Sequence, residues 1–520
     1  MQTQELQVPT GNRAAAKARF HLDKSTITGL LAFAALGFLI IFGLSWVVWR
    51  FSRHGSLIAV AIVIVIPVGA AATIVAAPQL YHRLGVLWSK LRWWHALWAL
   101  LYISTLVFRV RSQEATQAEP LDAWTLVRIG PEGIVGLWLL VRLYHRPDAV
   151  TWFRWMFRGL TGWLTVFALV CITSTLWSVY PPWTLYKSLE YFLDISVLAA
   201  ALANIHSLTD YEDLFNWTWA IFGVELLWVW LQVPLWPSES LADSRLKGFI
   251  PATGSNAVGQ SGAIFAIIAL CRLLPLNRKR SNISFSLVLF VFGILSLLIS
   301  QTRNAVGAFG LGLILILFLS RRKWMAVMMG VLGAVAWFFT PLGDIALAYL
   351  QREQSAGAIE SLSGRAAFWA YAWEQFLLHP ITGMGAYAGG RFYVMTKLGI
   401  DPTSLHSDWV ELLVGVGLMG LIPFCCALIG TWYFLIRGVY DRTLDSRGRQ
   451  MAYEAAGVVA VITVHSFFNV ELIWHVPLFL FVLLGYAEML RRRGKVVPPR
   501  PLPPLFTRSA PEFARAPSAQ

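Results

Sequence analysis

Apolar segments of bilayer-spanning length recur along most of this 520-residue chain. A transmembrane helix needs about 20 predominantly apolar residues, and such segments can be recognised from the hydrophobic pattern. The pattern predicts spans at 27–49, 57–78, 93–108, 124–141, 159–179, 187–204, 213–236, 257–275, 283–300, 304–320, 324–340, 408–436, 451–469 and 474–490. The third and fourth segments have the weakest pattern, so we predict an all-α polytopic bundle of about 12 to 14 spans.

The composition agrees with a membrane protein. Hydrophobic residues make up 57% of the chain and charged residues only 13%, whereas a soluble domain has about 25% charged residues. The 25 tryptophans suit the interfacial belts of a membrane protein. The first 26 residues are polar and basic without an apolar core, so no cleavable signal peptide is expected.

The net charge of +14 could indicate a nucleic-acid partner. The excess of Lys and Arg instead lies in short clusters between the predicted spans, where such residues determine membrane orientation. We therefore expect membrane lipids, and no nucleic acid, among the partners. The four cysteines lie in apolar segments, and their spacing suggests neither a metal site nor a disulfide.

The basic clusters also predict the orientation of the chain. Clusters at 278–280, 321–323, 437–449 and 491–495 alternate with loops poor in Lys and Arg, as the positive-inside rule requires. With these clusters in the cytoplasm, the longest insert lies outside. The predicted organisation is a cytoplasmic tail (1–26), N-terminal transmembrane helices (27–158), a transmembrane core (159–340), a large periplasmic loop (341–405), C-terminal transmembrane helices (406–490) and a proline-rich cytoplasmic tail (491–520).

Several cationic side chains and histidines fall on the predicted outer side. His406 lies at the outer end of a span, in the segment LHSDWVELLVGVGLMG, and Arg303 lies between two closely spaced apolar segments. The other candidates are Arg245, Lys247, Arg365 and His465. The simpler interpretations are a water-exposed interfacial position for His406 and lipid headgroup contact for Arg303.

The functional interpretation is a site for an anionic, lipid-borne substrate such as a polyprenol diphosphate. The Arg303 guanidinium offers a fork of donors to a phosphate, and Arg245 or Lys247 adds a second positive charge. His406 is a candidate general base for a sugar hydroxyl, because an imidazole titrates near neutral pH. Asp408 or Glu411 could orient its ring. The sequence has no Gly-rich phosphate loop, no Asp-x-Asp pair and no zinc spacing, so neither a metal nor a cofactor is expected.

Four sequence elements resemble those of the bacterial O-antigen ligase and polymerase superfamily, which are membrane glycosyltransferases of GT-C-like architecture. The first is WSVYPPWTLYKSLEYF, with Ser178, Pro181 and Lys187, and the second is SQTRNAVGAF, with Ser300, Arg303 and Gly307. The third is LSGRAAFWAYAWEQFLLHPITGMGAYAGG, with Gly364, Arg365, Trp369, Pro380, Gly383 and Gly385. The fourth contains His406, Ser407, Gly417 and Gly420. Together they cover roughly residues 160 to 490.

The resemblance implies transfer of a glycan from an undecaprenyl diphosphate carrier to a lipid or glycan acceptor, on the periplasmic face of the bacterial inner membrane and without a metal. It implies that Arg303, with Arg245 or Lys247, binds the diphosphate and that His406 activates the acceptor hydroxyl. Lys187, Arg365 and His465 are further candidates for substrate binding. The chain departs from the family pattern at Gly415, where an acidic residue is frequent, and at Asn469, where an Asp is usual.

Several functions remain open at this point. A ligase and a polymerase for O-antigen or exopolysaccharide share the same chemistry and differ in the acceptor. A flippase or transporter of lipid-linked sugars also has many spans and cationic residues, but it needs access from both leaflets and often contains repeats. No repeat is found here, and the ionisable residues lie on one predicted side. A sensor or scaffold is the weakest alternative.

Overall fold

A computed structural model describes residues 90–106, 123–145, 149–276, 283–339, 365–399, 404–473 and 477–493. These residues form helices joined by turns, with one isolated β-bridge between Gly248 and Thr253 and no strand. The all-α prediction is therefore confirmed for the described residues. The predicted spans 27–49 and 57–78, most of the proline-rich tail and positions 340–364 of the large loop lie outside them.

Seven helices of at least eight residues form the first part of the described chain. They are α1 (Trp93–Leu106), α2 (Ala123–His145), α3 (Ala149–Met156), α4 (Gly159–Thr173), α5 (Pro181–Asn204), α6 (Leu208–Leu235) and α7 (Ser255–Leu273). Short helical turns occur at Ser174–Trp177, Pro237–Ser240 and Ala242–Ser244.

Seven further helices follow. They are α8 (Ile283–Ile299), α9 (Arg303–Leu319), α10 (Lys323–Phe339), α11 (Arg365–Leu378), α12 (Asp408–Tyr440), α13 (Ser446–His465) and α14 (Leu478–Arg492). A π-helical turn at Gly389–Val394 and a short helix at Met395–Lys397 lie between α11 and α12. Every predicted span from 93 onward coincides with one of these helices. Among these helices, only α3 and α11 were not predicted as spans.

Four described helical segments are long and apolar enough to cross a membrane, namely Gly159–Trp177, Leu208–Leu235, Ser255–Leu273 and Asp408–Tyr440. Shorter apolar helices occur at Ile283–Ile299, Arg303–Leu319 and Lys323–Val335. Since two predicted spans lie outside the described residues, the total of 12 to 14 spans stays a prediction.

The helix α12 is broken at Gly417, whose φ of 56° and ψ of −156° are not helical. The loop before the π-helical turn pairs with this break. Met384 N–H donates to the Val414 carbonyl (2.8 Å), and Gly385 N–H donates to the Gly415 carbonyl (2.9 Å). In the other direction, Leu418 N–H donates to the Pro380 carbonyl (2.9 Å). The loop 380–385 thus satisfies backbone groups that the break in α12 exposes.

Helix termini gather at one end of the bundle, which we call the site end. The Thr302 hydroxyl before α9 donates to the Ser255 carbonyl at the start of α7 (2.9 Å). Asp408 N–H at the start of α12 donates to the Ser466 carbonyl after α13 (3.0 Å). We call the other end the basic end. Arg322, from the basic cluster 321–323, lies there and donates to the Leu274 carbonyl just after α7 (2.6 Å). Which end faces the cytoplasm stays a prediction.

Helices α7 and α8 approach closely through two glycines. A Cβ at Gly262 would lie 2.6 Å from the Leu297 nitrogen and 2.7 Å from the Gly293 carbonyl oxygen. A Cβ at Gly293 would lie equally close to the backbone of Ala266. Small residues at such positions let two membrane helices make backbone contact.

We predict that Gly262→Ala destabilises the fold by about 1–3 kcal/mol, because the added methyl group forces α7 and α8 apart. The measurement is the thermal unfolding temperature of the purified protein in detergent. Gly310→Ala in α9 is the matched control, since its Cβ would meet nothing within 4 Å. Equal unfolding temperatures for the two variants would contradict the prediction.

Candidate functional site

The two carboxylates at the start of α12 bind backbone groups. Asp408 is fully buried, and its oxygens accept N–H groups from Glu471 (3.0 and 3.1 Å), Leu472 (2.9 Å) and Ile473 (3.3 Å). Glu411 is also buried, and its Oε1 accepts the Leu405 N–H (2.6 Å). These carboxylates hold the loops on either side of α12. The possibility that one of them orients the His406 ring has no support among the described hydrogen bonds.

His406 lies in the tight turn that leads into α12. Its φ of 54° is in the left-handed region, and Ser407 caps the helix by accepting the Val410 N–H (3.4 Å). The side chain is partly buried. Burial, and then the nearby positive charge of Arg365, lower the pKa of His406 to about 4. The imidazole is therefore neutral at pH 7, which is the form that a general base requires.

Three arginines lie near one another beside this histidine. Burial lowers the pKa of Arg365, and the charges of Arg303 and Arg245 add to the effect. The Arg365 guanidinium also donates to the Phe468 carbonyl (2.7 Å). The structure thus brings together four of the predicted site residues, His406, Arg365, Arg303 and Arg245, although they lie far apart in sequence. Like charges repel, and an anion bound between them would offset that repulsion.

The surrounding elements fix these arginines in place. Arg245 donates to the Ser300 carbonyl (3.1 Å) and to the Asn256 side-chain oxygen (3.3 Å). Arg303 is the first residue of α9, directly after the turn that Thr302 anchors to α7. On the other side, Trp369 of α11 donates to the Leu405 carbonyl (2.8 Å), which binds α11 to the turn of His406.

Of the other three predicted residues, two form ion pairs and the third, His465, lies beside a carboxylate. Lys247 pairs with Asp243 of the same loop (3.1 Å), and His465 lies 2.9 Å from the Glu471 carboxylate. Lys187 is buried and pairs with Glu190, which also binds Arg128 of α2 (3.0 Å). Lys187 is thus part of a separate ionic cluster between α2 and α5.

The sequence interpretation missed two charged residues at this end. Arg391 is buried, and its guanidinium lies 4.6 Å from the Trp183 ring centroid. Burial lowers its pKa to about 10, against the opposing charge of Glu411, and the charge of Arg128 adds to the lowering. Glu471 also accepts from Asn469 (2.5 Å), so a carboxylate lies near His465 although Asn469 replaces the usual Asp. The only sequence signal for either residue was its position on the predicted outer side.

Among the described residues, no group of three or more His, Cys, Asp or Glu side chains is arranged to hold a metal ion. The described cysteines are free thiols, two of them buried and two partly buried. The charged or titratable side chains described at the site end include arginines, an imidazole and the carboxylates of Asp408, Glu411 and Glu471.

This fold and site define a multi-pass helical membrane protein with cations gathered around a histidine. Residues 288–425 match the family model described as O-Antigen ligase. The matched region includes Arg303, Arg365 and His406. It supports the resemblance to the O-antigen ligase and polymerase superfamily, and with it an enzyme of that general type acting on lipid-linked glycan and acceptor substrates. A comparison with curated proteins found no match.

We predict that Asp408→Asn lowers the stability of the protein by about 2 kcal/mol or more. Both Asp408 oxygens accept backbone N–H groups. In the Asn variant, an NH2 group replaces one of these oxygens and faces N–H donors that it cannot bind. The measurement is thermal unfolding in detergent. Asp210→Asn is the control, because Asp210 is exposed in the first turn of α6. An unchanged unfolding temperature for Asp408→Asn would refute the structural role of this carboxylate.

We also predict that Arg365→Gln raises the pKa of His406 from about 4 towards the ordinary value of 6.5. Removing the positive charge lowers the cost of protonating the imidazole, while the effect of burial remains. The pKa is measured by NMR titration of histidine-labelled protein, with His406→Gln to assign the signal. Lys323→Gln at the basic end should leave this pKa unchanged. If the pKa of His406 is unchanged in the Arg365→Gln variant, the proposed electrostatic effect of Arg365 on His406 is excluded.

Proposed function

We propose that this protein transfers a glycan from an undecaprenyl diphosphate carrier to an acceptor hydroxyl, on the periplasmic face of the bacterial inner membrane and without a metal ion. The gathering of Arg245, Arg303 and Arg365 beside His406 carries this proposal. The O-antigen ligase match over residues 288–425 supports the same class of reaction.

The proposed step is a displacement at the anomeric carbon of the first sugar. The acceptor oxygen forms a bond to this carbon, while the bond between the carbon and the diphosphate oxygen breaks and the diphosphate leaves with the electron pair. His406 takes the proton of the acceptor hydroxyl. The arginines stabilise the negative charge that develops on the leaving diphosphate.

The electrostatics of the site agree with these roles. Without substrate, burial and then the positive charge of Arg365 lower the pKa of His406, so the imidazole is neutral at pH 7. A bound diphosphate would offset that positive charge and raise the basicity of the imidazole when it has to accept a proton. The N-terminus of α9 begins at Arg303, and the positive end of its helix dipole adds a favourable interaction with an anion.

The remaining candidates have supporting roles in this proposal. Lys247 pairs with the exposed Asp243 and adds positive charge to the loop of Arg245. Lys187 and His465 are buried and held by Glu190 and Glu471. In this proposal, these two residues support the surrounding helices and loops and do not contact the substrate.

A ligase that acts on a lipid-anchored acceptor is the first choice, because the matched family is described as a ligase. A polymerase of the same superfamily uses the same donor and differs in accepting a second lipid-linked glycan. Transport is less consistent with the site, because a transporter needs its cations accessible from both sides. The three described arginines lie together at the site end.

We predict that His406→Ala and Arg303→Ala abolish surface glycan assembly without lowering the amount of protein in the membrane. Arg303→Lys should also lose most activity, because an ammonium group cannot form the two parallel hydrogen bonds of a guanidinium. The assay expresses each variant in a strain that lacks the gene and compares surface carbohydrate with lipid-linked intermediates.

Matched controls are His379→Ala and Arg321→Ala, which change an exposed histidine outside the cluster and an arginine exposed at the basic end. Full glycan assembly by the His406→Ala variant would show that His406 is not the general base. Near-normal assembly by the Arg303→Lys variant would show that Arg303 contributes only its positive charge. In the deletion strain, unattached lipid-linked polymer identifies a ligase. Accumulated single repeat units would identify a polymerase and overturn the first choice.

A further inference from the structure

The turn 300–302 between α8 and α9 is bound to the loop that carries Arg245. The Nε–H of Arg245 donates to the Ser300 carbonyl (3.1 Å), and the side-chain amide of Gln301 donates to the Ser244 carbonyl (2.8 Å). The two hydrogen bonds run in opposite directions, one from the loop to the turn and one from the turn to the loop. Two neighbouring residues of the loop are thus held by two neighbouring residues of the turn.

Contacts on both sides of this turn reinforce the connection. Leu246 N–H donates to the Ile299 carbonyl (3.0 Å). Thr302 anchors the other end of the turn to α7, and Arg303 begins α9 at the next position. The turn therefore joins Arg245 to Arg303 by a short run of bonded groups, which limits how far the backbones of these two residues can move relative to each other.

Gln301 adopts a backbone conformation that its residue type rarely takes. Its φ is 51°, in the left-handed region, and that of Ser244 is 57°. Glycine takes such angles without strain, whereas a residue with a longer side chain persists there only when the surrounding contacts hold it. A glycine at position 301 would lose the amide that donates to the loop. The contact with Ser244 is therefore a physical reason for a glutamine at this position.

We propose that Gln301 is a positioning residue, which fixes Arg245 relative to Arg303 so that the two guanidinium groups bind the two phosphates of one diphosphate. This inference rests on the proposed function. A guanidinium forms paired hydrogen bonds to a phosphate, and donors already held at the required spacing lose little conformational entropy on binding. A single phosphate needs no fixed spacing between the two arginines. Gln301 thus acts on the preference for a diphosphate over a monophosphate, without itself contacting the substrate.

The test uses the full-length protein purified in detergent, with inorganic pyrophosphate and inorganic phosphate as probes and isothermal titration calorimetry as the measurement. We expect the wild type to bind pyrophosphate more tightly than phosphate. Gln301→Gly should weaken pyrophosphate binding about fivefold, the effect of losing one hydrogen bond, and should leave phosphate binding unchanged. Gln301→Ala removes the same amide with a different backbone preference, and it should weaken pyrophosphate binding to the same extent.

Arg321→Gly is the matched control, because Arg321 also has a left-handed φ, of 60°, and is exposed at the basic end. It should keep the wild-type affinities for both probes. A double-mutant cycle then shows whether Gln301 acts through Arg245. In the Arg245→Gln variant, adding Gln301→Gly should not weaken pyrophosphate binding further.

The possible outcomes separate this inference from the proposed function. Unchanged pyrophosphate affinity in the Gln301 variants, equal weakening of both probes, or a further fivefold loss in the double variant would overturn the positioning role and leave the proposed function intact. A wild type that binds pyrophosphate no better than phosphate would overturn the diphosphate site itself, and with it both proposals.

Discussion

The pairing between the broken helix α12 and the loop 380–385 is the constraint on which the site end depends. A break inside an apolar helix exposes backbone N–H and C=O groups, and lipid cannot satisfy them. The loop provides the partners, and it can approach because Gly383 and Gly385 have no side chains. A Cβ at Gly383 would lie 2.5 Å from the Gly415 carbonyl group. This loop connects α11 to the π-helical turn that carries Arg391. The pairing therefore fixes the positions of α11 and of this turn relative to α12.

At the site end, the buried carboxylates of α12 and the three arginines have different surroundings. Asp408 and Glu411 direct their oxygens at backbone N–H groups of residues 471–473 and 405. They therefore stabilise loops. Burial, and then the charges of Arg303 and Arg245, lower the pKa of Arg365. Like charges repel one another, and in the proposed function a bound diphosphate offsets that repulsion.

The helices were predictable from sequence because burial in a membrane imposes a length and a composition on each span. Predicted and observed bounds agree within a few residues for spans such as 257–275 and Ser255–Leu273. The four gathered residues were also predictable, because charged side chains near apolar segments are costly without a role. The partners were not predictable. Which carboxylate faces which N–H depends on how α12 and α13 meet, and no local pattern encodes that geometry. For this reason Arg391 and Glu471 were missed.

The motif residues have two different physical roles. Some pack the backbone closely, and others carry the ionisable groups of the candidate site. A Cβ at Gly385 would meet the Ser178 side chain, and Leu418 next to Gly417 donates to Pro380. These residues from three of the four elements therefore form one packed junction with no ionisable group. Arg303, Arg365 and His406 are the titratable motif residues that lie near one another at the site end. A substitution in the junction is expected to lower the amount of folded protein. A substitution of Arg303, Arg365 or His406 is expected to lower activity at an unchanged amount of protein. Both quantities must therefore be measured to distinguish the two effects.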